Sequence, residues 1–204
     1  TGIDVQAFAT ADGSRFRKRI GLAENAWVIG HVGRLALEKN LGFLAEGVAL
    51  ALQAEPRARF LVVGDGPARD EFKAVFEKHG VAEQLLLAGK RTGRVLREAY
   101  RAMDIFVFAS KSETQGMVVA EAMAAGLPVV ALNASGVREV VRDGENGFML
   151  RGSASTAEFG RAIARLLVTK TRAPLAKEAQ ATAREFSREK AAEKTLAFYE
   201  ETRR

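Results

Sequence analysis

The feature of this sequence that most constrains its fold is an alternation of short apolar runs with amphipathic segments. The apolar runs are 27–33, 59–64, 85–89, 104–110 and 127–132, followed by a weaker one at 147–150. Helical periodicity occupies 41–52, 67–79, 93–103, 116–125 and 137–141. Strands that are apolar throughout, rather than at every second residue, are typical of parallel sheets buried on both faces. The pattern therefore predicts an α/β fold, a Rossmann-like doubly wound parallel sheet of about six strands with helices on both faces.

The two ends of the chain differ from this alternation. Residues 1–22 look like a linker or lead-in to the domain, and the last 50 or so residues show only helical patterns, at 156–168, 174–186 and 187–204. We interpret 1–204 as one domain with C-terminal helices over 174–204. The final helix carries an apolar stripe of Ala192, Leu196 and Tyr199. We expect this stripe to pack on the helix's own sheet, the alternative being contact with a further domain.

Composition removes several classes of function. The 204 residues contain no cysteine, which excludes disulfides, Cys-ligated zinc and thiol catalysis and favours a cytoplasmic setting. No apolar run reaches the roughly 20 residues of a membrane span. The net charge of +6 indicates either an anionic partner or a basic but functionally silent surface. Basic runs are not interleaved with Trp or Tyr, so we expect no nucleic-acid partner.

Glycines and charged residues cluster directly after the predicted strands. The first strand is followed by Gly33, Arg34 and Lys39, the second by "GDGP", and the later ones by "GKRTGR", "SKSETQG" and "NASG". In an open α/β sheet, ligands bind outside the carboxyl ends of the strands. The sequence therefore predicts a binding site at this edge of the sheet.

Two of these segments admit more than one interpretation. "GDGP" is not a dinucleotide fingerprint, because Arg69 replaces the third glycine. It is either a tight turn before a helix that starts at Pro67 or a place where a ligand approaches the backbone of Gly64. Arg34 and Lys39 are either solvated surface charges or a clamp that binds a diphosphate through charge-assisted hydrogen bonds.

Glu113 and Glu121 flank the start of a predicted helix. If both were helical, they would lie about 12 Å apart along the axis, too far to face one bond. We expect Glu113 on a loop, a helix that begins near Gly116, and Glu121 facing the crevice. The amides of Gly116, Met117 and Val118 would then be available to an anion. The alternative is a capping box of Ser112 with Gln115, which would make Glu113 an ordinary first-turn acid.

Neither histidine is a strong candidate for a general base. His31 lies within an apolar run, which favours a packed core residue, and His79 ends a helix, where a cation is favourable. No Ser-His-Asp order and no metal-ligand cluster is present in the sequence, so we expect no metal site.

Four stretches together carry a resemblance to a known family: "VGRLALEKN", "VVGDGP", "SETQGMVVAEAMAAGLPVVA" and "DGENGFML". They resemble the C-terminal donor-binding domain of retaining glycosyltransferases of family 4 (group 1), which have the GT-B fold. The resemblance covers essentially the whole chain. It implies that the substrate is a nucleotide-diphosphate sugar, UDP- or GDP-linked, that no metal or cofactor is required, and that a hexosyl group passes to a lipid or polysaccharide acceptor.

The resemblance also implies residue roles. Arg34 and Lys39 match the basic pair that holds the donor's phosphates and the leaving diphosphate. Glu113 matches the acid that binds sugar hydroxyls, and Glu121 matches the acid that binds the ribose. The remaining matches are donor-binding backbone segments: Gly33, Gly64, Lys90, Arg91, Gln115, Gly116, Met117 and Val118. The acceptor-binding N-terminal domain that the family implies as a partner is outside this sequence.

Two other functions stay open from the sequence. One is a non-catalytic nucleotide-binding module, and the other is a nucleotide-sugar epimerase of GT-B architecture. For the transferase we expect a cytoplasmic enzyme, with peripheral attachment of the longer protein to the cytoplasmic face of a membrane as a further option.

Overall fold

The computed structural model describes residues 2–112 and 115–202, and its centre is one six-stranded sheet. The strands are β1 (Trp27–Val32), β2 (Ala58–Val63), β3 (Leu85–Leu87), β4 (Ile105–Phe108), β5 (Val129–Leu132) and β6 (Gly147–Leu150). All neighbouring pairs are parallel, in the order β3-β2-β1-β4-β5-β6. The predicted doubly wound parallel sheet is confirmed. Its chain order reverses between β1 and β4, which is where such sheets open a ligand crevice.

The helices lie on both faces of the sheet. They are α1 (Val5–Ala9), α2 (Gly13–Arg19), α3 (Leu41–Ala54), α4 (Arg69–Lys78), α5 (Gly93–Ala102), α6 (Met117–Ala124), α7 (Ser135–Arg138), α8 (Thr156–Leu166), α9 (Thr169–Ala183) and α10 (Arg188–Thr202). Residues of α1, α2, α5 and α6 share one buried cluster, and residues of α3, α4 and α8 share the other.

Side-chain alternation along the strands explains why both clusters need apolar residues. In β2, Leu61 and Val63 belong to the first cluster, whereas Phe60 and Val62 belong to the second. Successive side chains of a strand point to opposite faces, so a strand covered on both sides must be apolar at every position.

Residues 2–22 of the expected lead-in at 1–22 include two helices and do not form an extended linker. Asp4 and Asp12 cap α1 and α2 by accepting hydrogen bonds from backbone amides in the first turn. Phe8 and Phe16 of these helices are buried in the core. A Cβ on Gly13 would lie 2.1 Å from the carbonyl oxygen of Arg101, so α2 touches α5 closely. The described part of this segment therefore belongs to the domain.

The C-terminal helices also differ in part from expectation. Helix α9 begins at Thr169, not at Pro174, which lies inside it. In α10 the apolar side chains stay exposed, Leu196 at 61% and Tyr199 at 62%. The expectation that this stripe packs on its own sheet is therefore wrong. Among the described residues, no helix is long and apolar enough to cross a membrane.

Candidate functional site

The carboxyl ends of β1 and β2 and the segment after β3 enclose a cavity of about 330 Å³. Its lining brings together five residues that were predicted from different parts of the sequence: Gly33, Arg34, Gly64, Lys90 and Arg91. Charged side chains and exposed backbone therefore meet at the predicted edge of the sheet.

Gly64 allows the strand ends around this cavity to approach one another. Its φ is +151°, and a Cβ there would lie 1.8 Å from the carbonyl oxygen of Gly33. Its amide donates to the oxygen of Gly89 at 3.0 Å, while the amide of Gly33 donates to the oxygen of Val63 at 3.1 Å. Close backbone packing explains this glycine whether or not a ligand binds beside it.

Arg34 presents a guanidinium at the mouth of the cavity. The side chain is 63% exposed and forms an ion pair with Glu38, four residues on. Because an exposed ion pair contributes little stability, the guanidinium can exchange this partner for an anionic ligand. Sequence reasoning missed Glu38, although its spacing from Arg34 is a recognisable signal.

Lys39 ends the 3-10 turn Leu37–Lys39 and is not among the described residues that line this cavity. Asn40 follows with φ +56°, the one positive φ outside glycine among the described residues. Its side-chain amide donates to the oxygen of Ala109 at 3.1 Å, just beyond β4. This bond holds the turn across the point where the strand order reverses. Asn40 was also missed, although asparagine tolerates a left-handed backbone better than most residues.

His31 is a core residue, as predicted. It is 3% exposed, and its Nδ1 lies 3.1 Å from the oxygen of Val107. Burial, aided by the charge of Lys39 and opposed by the contact with Val107, lowers the pKa of His31 to about 4. The ring is therefore neutral at pH 7. His79, at the end of α4, pairs instead with Glu46.

The start of α6 has the predicted geometry. Gly116 is the N-cap residue with φ +62°, and the helix runs from Met117. The first amide of the helix with a described acceptor is that of Val119, which donates to Gly116 at 2.9 Å. Among the described residues, no acceptor is recorded for the amides of Met117 and Val118, as is usual for the first turn of a helix. Gln115, just before the cap, is exposed.

The capping box considered from the sequence does not form at this helix. The N-cap position belongs to Gly116, which has no side-chain cap. The hydroxyl of Ser112 donates instead to the oxygen of Glu38 at 3.4 Å. Glu113, the predicted sugar-binding acid, lies outside the described residues.

Glu121 lies in a second cavity, of about 350 Å³, which Gly93, Arg97 and Met117 also line. Burial raises the pKa of Glu121, while a hydrogen bond from Tyr100 acts in the opposite direction. This bond joins the tyrosine hydroxyl to Oε2 of Glu121 at 2.9 Å. Sequence reasoning missed Tyr100, for which the only signal was a phenol on the apolar side of α5.

Residues of one short segment contribute to the lining of both cavities. Lys90 and Arg91 line the first cavity, and Gly93 lines the second. The first cavity offers cations and the second offers the carboxylate of Glu121, so a single ligand with an anionic part and a hydroxyl-bearing part would suit them. Across residues 2–112 and 115–202, no three His, Asp or Glu side chains are grouped as metal ligands.

Comparison with curated proteins gives relatives of one functional class. The chain is 34% identical to a D-inositol 3-phosphate glycosyltransferase from Actinosynnema mirum, over 99% of this chain and 51% of the relative. It is 33% identical to a GDP-mannose-dependent alpha-mannosyltransferase from Mycobacterium tuberculosis, over 86% of this chain and 43% of the relative. The chain thus spans about half the length of these relatives.

Solved structures share the fold. A crystal structure of Anabaena Alr3699/HepE in complex with UDP and glucose matches 98% of this chain and 55% of its own, with a TM-score of 0.84 and 29% identity. The C-terminal domain of the group 1 glycosyl transferase LpcC from Francisella tularensis matches with a TM-score of 0.77 and 25% identity, over 89% of this chain and 96% of that domain. The family model of the glycosyl transferases group 1 covers residues 12–186. This chain belongs to the glycosyl transferases group 1 family.

Proposed function

We propose that this chain is the donor-binding part of a retaining glycosyltransferase that takes its hexosyl group from a nucleotide-diphosphate sugar. The observation that carries the proposal is a pair of cavities that residues of 90–93 help to line, one of them lined also by Arg34 and the other by Glu121. A diphosphate requires cations, and a ribose requires hydrogen-bond acceptors.

In the proposed reaction, negative charge grows on the diphosphate as the bond to the sugar breaks. The cations of Arg34 and Lys39 and the backbone amides at the start of α6 stabilise that charge, and donors aimed at a growing charge accelerate a reaction most. The resemblance assigns the sugar hydroxyls to Glu113. In this proposal the protein's own cations neutralise the diphosphate, and no metal ion takes part.

The relatives limit the donor to a class of compounds. HepE binds UDP and glucose, and the mycobacterial relative depends on GDP-mannose. We therefore propose a UDP- or GDP-sugar as the donor. Acceptor contacts would come from the part of the relatives' length that this chain does not span.

Co-sedimentation of the longer enzyme with anionic vesicles would test peripheral attachment to a membrane.

Thermal unfolding with UDP, GDP and ADP tests the binding proposal. A nucleotide at about 100 times its Kd should stabilise the fold by about 2.7 kcal/mol. Arg34→Ala and Lys39→Ala should each weaken binding by about tenfold or more, because each removes a charge-assisted hydrogen bond. Lys194→Ala, which removes an exposed cation of α10, is the matched control and should leave the Kd unchanged. If no nucleotide shifts the unfolding temperature, the proposal is wrong.

Turnover in the longer enzyme tests the catalytic part. Arg34→Ala should lower kcat by roughly 100-fold, and Lys39→Ala should do the same. The anomeric configuration of the product, read by NMR, tests retention. Conversion of a nucleotide sugar without any acceptor would indicate an epimerase instead.

A further inference from the structure

Tyr100 combines complete burial with a polar contact to Glu121. Its ring has no exposed surface and packs edge-on against Phe8, with 5.5 Å between the ring centroids. On α6, the Glu121 carboxylate accepts a hydrogen bond from the Tyr100 hydroxyl at 2.9 Å. A buried phenol on α5 thus contacts an acid that lines the second cavity.

Packing alone does not explain the hydroxyl of Tyr100. A phenylalanine would fill the same space, whereas a buried hydroxyl costs free energy unless it is hydrogen-bonded. Its other contact, to the oxygen of Val118 at 3.4 Å, is long for a hydrogen bond between two oxygens. The carboxylate of Glu121 is therefore the main partner, and the bond to its charged form is of the stronger, charge-assisted kind.

This bond fixes the orientation of the carboxylate. Oε2 of Glu121 accepts from Tyr100, and no described residue donates to Oε1. A carboxylate held at one oxygen meets its ligand already oriented, so less conformational entropy is lost on binding.

The other charged groups of the second cavity do not orient Glu121. Asp4 comes from the N-terminal segment, Arg97 from α5 and Arg188 from the start of α10. Arg188 lies 3.8 Å from Asp4, as an ion pair. Among the described residues, no hydrogen bond or ion pair joins Asp4, Arg97 or Arg188 to Glu121. The hydrogen bond that the Glu121 carboxylate accepts from a side chain within the described part of the chain therefore comes from Tyr100.

We propose that Tyr100 is a positioning residue for ribose recognition, whose hydroxyl holds the Glu121 carboxylate so that it accepts hydrogen bonds from the two ribose hydroxyls of a nucleoside diphosphate. The inference rests on the proposed function, which assigns the nucleotide to this cavity. It adds a residue that does not itself touch the ligand.

Titration calorimetry of the wild type and Tyr100→Phe tests this role with two ligands. The ligands are UDP, or GDP where that binds more tightly, and the 2′,3′-dideoxy form of the same nucleotide. Tyr100→Phe should weaken binding of the ribonucleotide by about five- to tenfold and leave the Kd of the dideoxy form within about twofold. Tyr199→Phe, at an exposed tyrosine of α10, is the matched control and should change neither Kd.

Each other outcome has a definite meaning. Equal losses for both ligands would show a merely structural role and overturn the inference, and so would an unchanged ribonucleotide Kd. A wild type that binds both ligands equally well would also overturn it. A wild type that binds neither would instead reject the proposed function itself.

A second variant covers the case in which Tyr100→Phe does not fold. Glu121→Asp keeps a carboxylate but withdraws it from the tyrosine hydroxyl by one methylene group. It should lose most of the preference for the ribonucleotide over the dideoxy form. If Glu121→Asp keeps the full preference, the position of the carboxylate does not matter and the inference is wrong.

Discussion

The close approach of β1 and β2 beside the first cavity predicts a large effect of Gly64→Ala. The new Cβ would lie 1.8 Å from the oxygen of Gly33, whereas real Cβ atoms essentially never come within 3.0 Å of a heavy atom outside their own residue and its chain neighbours. The end of β1 or the end of β2 must therefore move until the contact of 1.8 Å has widened to at least 3.0 Å. Residues other than glycine also rarely adopt a backbone conformation with φ of +151°.

The size of the effect follows from these two terms. An alanine held in such a backbone conformation costs about 1–3 kcal/mol. Displacing the strand ends also endangers the hydrogen bonds from Gly33 to Val63 and from Gly64 to Gly89, at about 0.5–1.5 kcal/mol each. We expect Gly64→Ala to lower the free energy of unfolding by about 2–6 kcal/mol.

Urea unfolding at pH 7 measures this change, with Gly42→Ala as the matched control. Gly42 lies in α3, and a Cβ there would meet nothing within 4 Å. An alanine at that position restricts the unfolded chain without a clash, so it should stabilise the fold by about 0.5 kcal/mol. A Gly64→Ala protein within about 1 kcal/mol of the wild type would refute the argument from close approach.

Three further predictions concern other parts of the structure. Burial raises the pKa of Glu121, so at pH values above that pKa Glu121→Gln should have a higher unfolding temperature than the wild type. The difference should disappear below pH 4.5, where the wild-type carboxyl is protonated in both the folded and the unfolded state. A variant less stable than the wild type at pH 8 would contradict this prediction. In urea unfolding, Asn40→Ala should lower the free energy of unfolding by about 1–2 kcal/mol. Asn40→Gly should lower it less, because glycine accepts the left-handed backbone, and equal losses would argue against backbone strain at this position. In the same assay, Phe16→Ala should lower the free energy of unfolding by about 3–5 kcal/mol, and Phe198→Ala, at an exposed position, should lower it by almost nothing. If both effects were small, residues 13–19 would not belong to the packed domain.

Much of the fold could be predicted because the relevant signals are local. A strand buried on both faces must be apolar along its whole length, and a helix on a sheet must repeat its apolar residues every three to four positions. Both patterns lie within windows of a few residues. The lead-in at 1–22 was misinterpreted because α1 and α2 are only a few residues long, and what identifies them as part of the domain is the packing of Phe8 and Phe16 into a core built by distant residues.

The candidate site divides in the same way. That Gly33, Arg34, Gly64, Lys90 and Arg91 meet was predictable, because the carboxyl ends of parallel strands lie at one edge. The ion pair of Arg34 with Glu38 and the bond of Asn40 to Ala109 were not, since they depend on the path of one loop.

The sequence by itself determined the order of the strands and of the helices between them, and the edge of the sheet at which polar residues collect. The reason is that burial on both faces and the direction of the strands are expressed in neighbouring residues. Only the tertiary structure decided that Tyr100 reaches Glu121, 21 residues away. The physical reason is that such a contact depends on how α5 and α6 pack on the sheet, and packing between elements has no signature in the residues of either element alone.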